Sequence, residues 1–260
     1  MLVIGEKINV MSKTIGPAMK AKEAKPIQEL AAAQLAAGAN VLDVNLGPAN
    51  KGGPEMMEWV VNTIQEVAPD ATLSLDTTNA EAIAAGLKVC KNQAIINSTD
   101  GRREKIDVIL PLAKEHGANV IGLTMTEAGI PRDANERIAI AVDIMTAFME
   151  YDIPLDRLYL DPLVLPVGVA QNQATEVIEA IRMFKQLNDP PLKSVVGLSN
   201  IYNGTPPELH AAIGSTYLIM LMMAGLDAAI ADPFDARLME GIKTALVIKN
   251  ETLYCHSYLD

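Results

Sequence analysis

The sequence has few cysteines and no cluster of histidines. Only two cysteines, Cys90 and Cys255, occur among 260 residues, and neither belongs to a CxxC pair. This number is too small for a disulfide framework or a zinc site, and it suits a reducing cytoplasm. The three histidines, His116, His210 and His256, do not have the spacing of metal ligands. We therefore expect a cytoplasmic protein without a bound metal, although carboxylates alone could still hold Mg²⁺.

The sequence also lacks a basic block and an uninterrupted apolar run long enough to span a membrane. Its formal net charge is −11, so it offers no positive surface to nucleic acid or to an anionic membrane. The initial run "MLVIGEKINV" is too short for a signal peptide. The stretch "TYLIMLMMAGLDAAIA" is interrupted by Gly225 and Asp227, which argues against a bilayer span. We expect a compact protein that binds neither nucleic acid nor membranes.

The chain does contain a regular alternation of short β-rich runs and longer helical patterns. The predicted strands cover residues 2–5, 41–44, 72–75, 94–96, 119–124, 158–160, 194–198 and 227–231. The predicted helices lie near residues 24–37, 55–67, 79–89, 102–116, 134–150, 174–187, 207–224 and 235–249. Eight such units predict an α/β protein with one domain over residues 1–260, a single (β/α)8 TIM barrel. A doubly wound open sheet is the weaker alternative, because no G-x-G-x-x-G follows the first strand.

Local signals mark the ends of several predicted helices. Pro54 suits a first helical turn, where its missing N–H has no partner to lose. Asp133 with Glu136 three residues later resembles a capping box, and Asp235 is placed to cap the last helix. The repeated "GAN", at 38–40 and 117–119, indicates a helix that ends on glycine before a strand begins.

Polar side chains follow nearly every predicted strand. In order along the chain they are Glu6, Lys7, Asp43, Asn45, Asp76, Asn97, Thr124, Asp161, Ser199, Asn200 and Asp232. Such residues also cap helices and form turns, so any single one has a structural explanation. The whole ring favours an active site, because barrel enzymes build theirs at the carboxyl ends of the strands. A mouth rich in carboxylates and amides suits a neutral heterocycle with N–H groups and a carbonyl, and it suits a phosphate poorly.

Motifs along the whole chain resemble one family. They are "GEKIN" (5–9), "DVNLGP" (43–48), "LSLDTTN" (73–79), "INST" (96–99), "YLDPLVLP" (159–166), "GLSN" (197–200) and "GLDAAIAD" (225–232). In this order they are similar to those of the pterin-binding methyltransferases, and most of all to the methyltetrahydrofolate:corrinoid protein methyltransferases of anaerobic bacteria. The resemblance implies a (β/α)8 barrel that moves a methyl group between N5 of tetrahydrofolate and the cobalt of a corrinoid (cobalamin). It also implies that the corrinoid is carried by a partner protein.

The resemblance also implies roles for individual residues. It places the pterin ring of tetrahydrofolate or 5-methyltetrahydrofolate against Asp76, Asn97, Asp161, Gly197, Ser199, Asn203 and Ile230. Asn200 is expected to face N5 as the catalytic residue. Asn203 stands where a glutamine is usual in the family, and the segment "IYNGTPPE" departs from the family pattern. This departure leaves the identity of the corrinoid partner open, and the direction of transfer is open as well.

An amide at N5 has a chemical reason. The methyl group of methyltetrahydrofolate sits on a tertiary amine, which is a poor leaving group. Asn200 can donate an N–H to N5 without titrating, so it would stabilise the transition state without fixing one protonation state. No D-x-H-x-x-G motif occurs for a lower-ligand histidine, so we expect the corrinoid to come in trans.

Two other functions and one question of assembly stay open at this stage. Dihydropteroate synthase shares the pterin barrel, but it would need a basic pair after Ser199, where this chain has Asn200 and Ile201. A folate-binding barrel without turnover is the other alternative. The apolar helix at 207–224 fits a homodimer interface, as the family suggests, and it fits ordinary core packing equally well.

Overall fold

The structure, a computed structural model, describes residues 1–259 and contains eight parallel strands that close into a barrel in the order of the sequence. The strands are β1 (Leu2–Asn9), β2 (Val41–Gly47), β3 (Thr72–Thr77), β4 (Ile95–Asp100), β5 (Asn119–Leu123), β6 (Leu158–Asp161), β7 (Lys193–Gly197) and β8 (Ala228–Ala231). The last strand pairs with the first, with Ile4 opposite Ile230. The predicted (β/α)8 TIM barrel is confirmed.

Helices connect the strands on the outside of the barrel. They are α1 (Ile15–Ala21), α2 (Ala24–Ala36), α3 (Gly53–Val67), α4 (Ala80–Val89), α5 (Arg103–His116), α6 (Ala134–Glu150), α7 (Val167–Ala170), α8 (Gln173–Phe184), α9 (Pro207–Ala224) and α10 (Ala236–Ile248). Short 3₁₀ turns cover Leu155–Arg157 and Leu198–Tyr202. Helices α1 and α7 were not predicted, because each is too short to show a helical repeat of apolar residues.

Most of the predicted helix ends are confirmed. Pro54 lies in the first turn of α3, and the Oδ1 atom of Asp235 accepts the N–H of Leu238 at 3.1 Å. Gly38 and Gly117 follow α2 and α5 with φ of +102° and +64°.

The capping box at α6 forms only in part. The carboxylate of Asp133 accepts the N–H of Glu136 at 2.9 Å, as predicted. The carboxylate of Glu136 instead accepts the N–H of Arg132, also at 2.9 Å, so the reciprocal bond to Asp133 is absent. Strands β1 and β2 run longer than predicted, to Asn9 and Gly47, because polar residues near their ends hid the two-residue repeat.

An apolar plug fills the interior of the barrel. It consists of Ile4, Val41, Ile95, Ile121, Tyr159, Val195 and Ala228, one residue from each strand except β3. Neighbouring strands bring these side chains into register, with Ile121 opposite Tyr159 and Val195 opposite Ala228. Since side chains alternate along a strand, the residue two positions further on also points inward, nearer the carboxyl end. The plug therefore forms the base of the space at the mouth of the barrel.

The outer face of the barrel is covered by helices. One apolar cluster packs against α2 to α6, and a second packs against α8, α9 and α10. In α9, Leu218, Leu221 and Met222 are buried in the second cluster, while Met220 and Met223 are 48% and 63% exposed. Core packing thus accounts for the inner face of α9, and the homodimer stays a prediction. Within residues 1–259, no helix is long and apolar enough to cross a membrane.

The position of helix α1 depends on Gly16, for which the short helix sequence gives no signal. A Cβ at Gly16 would lie 2.2 Å from the carbonyl oxygen of Val10, a backbone atom that moves only if the chain around it moves. A Cβ at Gly241, inside α10, would meet only Cδ1 of Ile219 at 3.6 Å. Gly16 therefore fixes how closely α1 approaches the end of β1.

We expect Gly16→Ala to lower the free energy of unfolding by ~1–3 kcal/mol, because the added methyl forces a backbone shift. The matched change Gly241→Ala should raise it by ~0.5–1 kcal/mol through better helix propensity. Urea unfolding of both variants measures the difference. Equal effects of the two substitutions would contradict this account of α1.

Candidate active site

A cavity of about 800 Å³ opens at the carboxyl ends of the strands. Its size fits a bicyclic ligand with room for a substituent. The lining residues come from all eight strands or the loops after them, and from helices α1 and α2. They are Glu6, Lys7, Asn9, Met11, Ser12, Thr14, Ile15, Leu30, Asp43, Asn45, Asp76, Asn97, Leu123, Asp161, Leu163, Gly197, Ser199, Asn200, Ile230 and Phe234.

The floor of this cavity follows from the two-residue repeat of the strands. Each plug residue is followed two positions later by a residue that lines the cavity. These seven residues are Glu6, Asp43, Asn97, Leu123, Asp161, Gly197 and Ile230. Asp76 joins them on β3, where it lies opposite Asn45 of β2 and Asn97 of β4. The apolar interior of the barrel therefore changes within one repeat into a floor that is mostly polar.

Two carboxyl groups of the floor interact. The carboxylate of Asp43 accepts the hydroxyl of Ser74 at 2.6 Å and the amide of Asn97 at 3.2 Å. Asp76 accepts the amide of Asn45. Burial raises the pKa of Asp43 and of Asp76, and the charge of Asp43 raises the pKa of Asp76 further. Because two neighbouring buried carboxyl groups resist ionising together, the pair holds a proton near neutral pH.

Asp161 is the other buried carboxyl group of the floor. It ends β6, is 7% exposed, and accepts the backbone N–H of Leu163 at 2.7 Å. Burial raises the pKa of Asp161 to about 7, although the bond from Leu163 and the charge of Arg137 oppose the shift. Its carboxyl group can therefore exchange a proton within the physiological pH range.

Charged groups of β1 and β8 meet at one side of the mouth. The Nζ atom of Lys7 lies 2.5 Å from a carboxylate oxygen of Asp232. The hydroxyl of Ser199 donates to the carboxylate of Glu6 at 2.9 Å. Burial raises the pKa of Glu6, and the bond from Ser199 and the charge of Lys7 oppose that rise. Ser199, which follows β7, is thus held by Glu6 of β1, two residues after the plug residue Ile4.

The amide of Asn200 lies at the exposed rim of the cavity and accepts one side-chain hydrogen bond. Its Oδ1 atom accepts the Nδ2–H of Asn203 at 3.2 Å, which leaves the Nδ2 group of Asn200 available to a ligand. That Nδ2 atom lies 3.0 Å from where a Cβ at Gly197 would be. Gly197 therefore makes room for the amide beside the cavity that both residues line.

The structure brings together seven of the eight residues predicted for the site. Asp76, Asn97, Asp161, Gly197, Ser199, Asn200 and Ile230 all line the cavity. Asn203 does not; it is exposed and touches the cavity only through Asn200. Thr124, from the wider ring of strand ends, is buried and donates its hydroxyl to the carbonyl of Asp161 at 3.0 Å. What each of these residues does with a ligand stays a prediction.

Sequence reasoning left out several lining residues. Asp43, Asn45, Glu6 and Lys7 were noted at strand ends but were not assigned to the pterin site. The spacing from Val41 to Asp43 to Asn45 would have identified both as inward-facing. The segment 11–15 gave no such signal, since it consists of a loop and the first residue of the unpredicted helix α1.

The described residues 1–259 contain no group of three or more histidine, cysteine, aspartate or glutamate side chains arranged to hold a metal ion. The carboxyl groups of the floor instead bond to amides and hydroxyls of the protein. The cavity thus presents hydrogen-bond donors and acceptors at fixed positions above an apolar base.

Known proteins similar to this chain include pterin-binding enzymes. The family model described as pterin binding enzyme matches residues 5–232. A methylcorrinoid:tetrahydrofolate methyltransferase of Eubacterium limosum is 27% identical over 261 residues, which cover 99% of this chain and 94% of that protein. A methionine synthase of Mycobacterium tuberculosis is 30% identical over 242 residues, which cover 88% of this chain and 20% of that protein. This chain therefore spans about a fifth of the methionine synthase.

Solved structures with the same fold include dihydropteroate synthases. The enzyme of Vibrio fischeri ES114 superposes with a TM-score of 0.72 at 16% identity, over 96% of this chain and 93% of that one. The enzyme of Yersinia pestis gives a TM-score of 0.69 at 17% identity, over 97% and 94% of the two chains. At these identities the likeness concerns the fold alone. The family match, by contrast, contains the floor of the cavity from Glu6 to Ile230, and the protein belongs to the pterin-binding enzymes.

Proposed function

We propose that this protein is a methyltransferase that moves a methyl group between N5 of tetrahydrofolate and the cobalt of a corrinoid carried by a separate protein. The observation that carries the proposal is the polar floor of the cavity, with the Asn200 amide at its edge. The relative from Eubacterium limosum, matched along almost the whole chain, is named for methyl transfer between these two substrates. Its name supports the choice of a methyltransferase within the family.

The floor offers what the edge of a pterin requires. A pterin carries N–H groups and a 2-amino group that need acceptors, and ring nitrogens and a carbonyl that need donors. Asp161 can accept as a carboxylate, and the proton held by Asp43 and Asp76 provides a donor. Asn97 can do both, since only one of its N–H groups is used by Asp43. Ile230 supplies an apolar surface for the ring face.

Asn200 would act on the reacting nitrogen. When the methyl group leaves, the bond between its carbon and N5 breaks, and the electron pair of that bond stays on N5. The free Nδ2–H of Asn200 would donate to N5 as this pair develops, while Asn203 holds the amide from its other side. Such an oriented donor is worth ~2.7–4 kcal/mol in a site closed to water. The proton that N5 then takes would come from water held by the acidic groups.

No specific observation favours the two alternative functions, a dihydropteroate synthase and a folate-binding barrel without turnover. At the position after Ser199, where a dihydropteroate synthase would need basic side chains, stand the amide of Asn200 and the buried Ile201. A folate-binding barrel without turnover would not require an amide held in one orientation beside an otherwise acidic floor.

The proposed activity can be tested directly. Mixing the protein with 5-methyltetrahydrofolate and cob(I)alamin should yield methylcobalamin, and methylcobalamin with tetrahydrofolate should react in the reverse sense. Absorbance spectra of the corrinoid measure both reactions. Folate binding without either reaction would indicate a passive carrier. Release of pyrophosphate from a pterin pyrophosphate in the presence of 4-aminobenzoate would indicate a dihydropteroate synthase.

Replacing Asn200 should separate catalysis from binding. We expect Asn200→Ala to lower kcat by about 100- to 1000-fold, because the donor to N5 is lost, and to weaken folate binding much less. Asn203→Ala, which removes only the bond that orients the amide, should cost about tenfold or less. Stopped-flow methyl transfer and titration calorimetry provide the two numbers. Equal losses of rate and affinity in Asn200→Ala would assign the amide to substrate binding alone.

Asp161 should make folate binding depend on pH. Its pKa of about 7 in the free protein means that the carboxylate needed to accept the pterin N–H groups becomes scarce below that pH. The affinity for tetrahydrofolate should therefore fall by about tenfold per pH unit below neutrality. Asp161→Asn should abolish binding while the barrel stays folded.

Calorimetry between about pH 5.5 and 8.5 measures this dependence. Asp143→Asn is the matched control, because Asp143 lies exposed on α6 and its replacement should leave the affinity unchanged. Normal binding by Asp161→Asn would refute the assignment of Asp161 to the pterin.

A further inference from the structure

Arg137 of α6 is a charged side chain in an unusual place. It is fully buried, and no carboxylate of residues 1–259 forms an ion pair with it. Its Nε–H donates to the carbonyl of Pro162 at 2.6 Å, and its NH2 group donates to Oε1 of Gln173 at 2.7 Å. Its NH1 group has no hydrogen-bond partner. Burying a guanidinium in this way is costly, so an ordinary helix–barrel contact gives no reason for it.

The partners of Arg137 lead to the cavity. Pro162 directly follows Asp161, and the next residue, Leu163, lines the cavity and gives its N–H to Asp161 at 2.7 Å. Leu163 has a φ of +66°, a conformation that a leucine keeps only when its surroundings hold it. The bond to the carbonyl of Pro162 fixes the peptide between these two lining residues.

Arg137 also acts through its charge. Its positive charge lowers the pKa of Asp161, against the larger effect of burial. The other ionisable groups that face Arg137 are Asp133 at the start of α6, Glu176 of α8 and Tyr217 of α9. The carboxylate of Glu176 is engaged by the N–H of Ala134 at 2.9 Å. The field of the guanidinium is therefore not cancelled by a contact pair.

We propose that Arg137 is a positioning residue of the pterin site, which holds the loop after β6 and places a fixed positive charge behind Asp161. The part concerning the pterin rests on the proposed function, since it takes Asp161 to be the acceptor of the pterin N–H groups. The guanidinium keeps a larger share of Asp161 ionised at neutral pH. Because it bonds to Pro162 and Gln173 instead of Asp161, the carboxylate stays available to a ligand.

The test compares variants that separate charge from hydrogen bonding. Arg137→Met removes both, Arg137→Gln removes the charge but can still donate to Pro162, and Arg137→Lys keeps the charge. Gln173→Leu is the matched control, because it breaks the same Arg137–Gln173 bond and leaves the charge in place. NMR titration of ¹³Cγ-labelled aspartate in the ligand-free protein, with the Asp161 signal identified by its loss in Asp161→Asn, gives the midpoint of Asp161.

We expect the midpoint of Asp161 to rise by about one pH unit in Arg137→Met and Arg137→Gln. It should stay near the wild-type value in Arg137→Lys and Gln173→Leu. At pH 7 the affinity of the neutral variants for tetrahydrofolate should fall by about fivefold, with kcat at saturating folate nearly unchanged. Arg137→Gln carries the same expectation if Arg137→Met does not fold.

An unchanged midpoint in a folded neutral variant, or an equal shift in Gln173→Leu, would overturn the proposal. A shifted midpoint in a protein whose wild type does not bind tetrahydrofolate would leave the action of Arg137 on Asp161 intact. That result would reject the proposed function instead.

Discussion

The alternation of side chains along eight parallel strands is the constraint on which the rest of the structure depends. Inward-facing positions recur every second residue, so the residues that fill the barrel and those that form its mouth lie on the same line of each strand. In this protein the side chains change from apolar to mostly polar between two successive inward-facing positions of a strand. Ile95 gives way to Asn97, and Tyr159 gives way to Asp161. The packed plug excludes water from below the floor of the cavity. This exclusion contributes to the burial that raises the pKa values of the acidic groups there.

Desolvation is the main consequence of building acids on an apolar base. It is the largest cause of the raised pKa values of Glu6, Asp43, Asp76 and Asp161. A floor of fully ionised carboxylates would repel itself and would only accept hydrogen bonds. A floor that retains a proton offers both donors and acceptors and lowers its own repulsion. The same burial therefore leaves the arrangement with both donors and acceptors, as a heterocycle with both kinds of group would require.

The sequence predicted the barrel well because its strands and helices carry strong, separate periodicities. The strand-end rule then placed Asp76, Asn97 and Asp161 at the cavity without any structure. The sequence predicted less well those residues whose position depends on a close backbone contact rather than on a periodic pattern. The segment 11–15, which ends on the first residue of α1, lines the cavity because Gly16 allows α1 to pack against Val10. No local sequence pattern indicates that contact. The buried position of Arg137 was not predicted either, because an arginine in a helical pattern normally faces solvent.

Under the proposed function, an amide at position 200 has an advantage over the acids that line the same cavity. Asp161 and the pair of Asp43 and Asp76 each have a raised pKa, so a carboxyl group beside them under a bound folate would also change protonation near neutral pH. It would then donate to N5 in one fraction of the molecules and repel its electron pair in the rest. An amide donates at every pH. In the proposed function this donor, bonded to Asn203 and placed beside Gly197, would serve the reacting nitrogen, while the titrating groups would bind the ring.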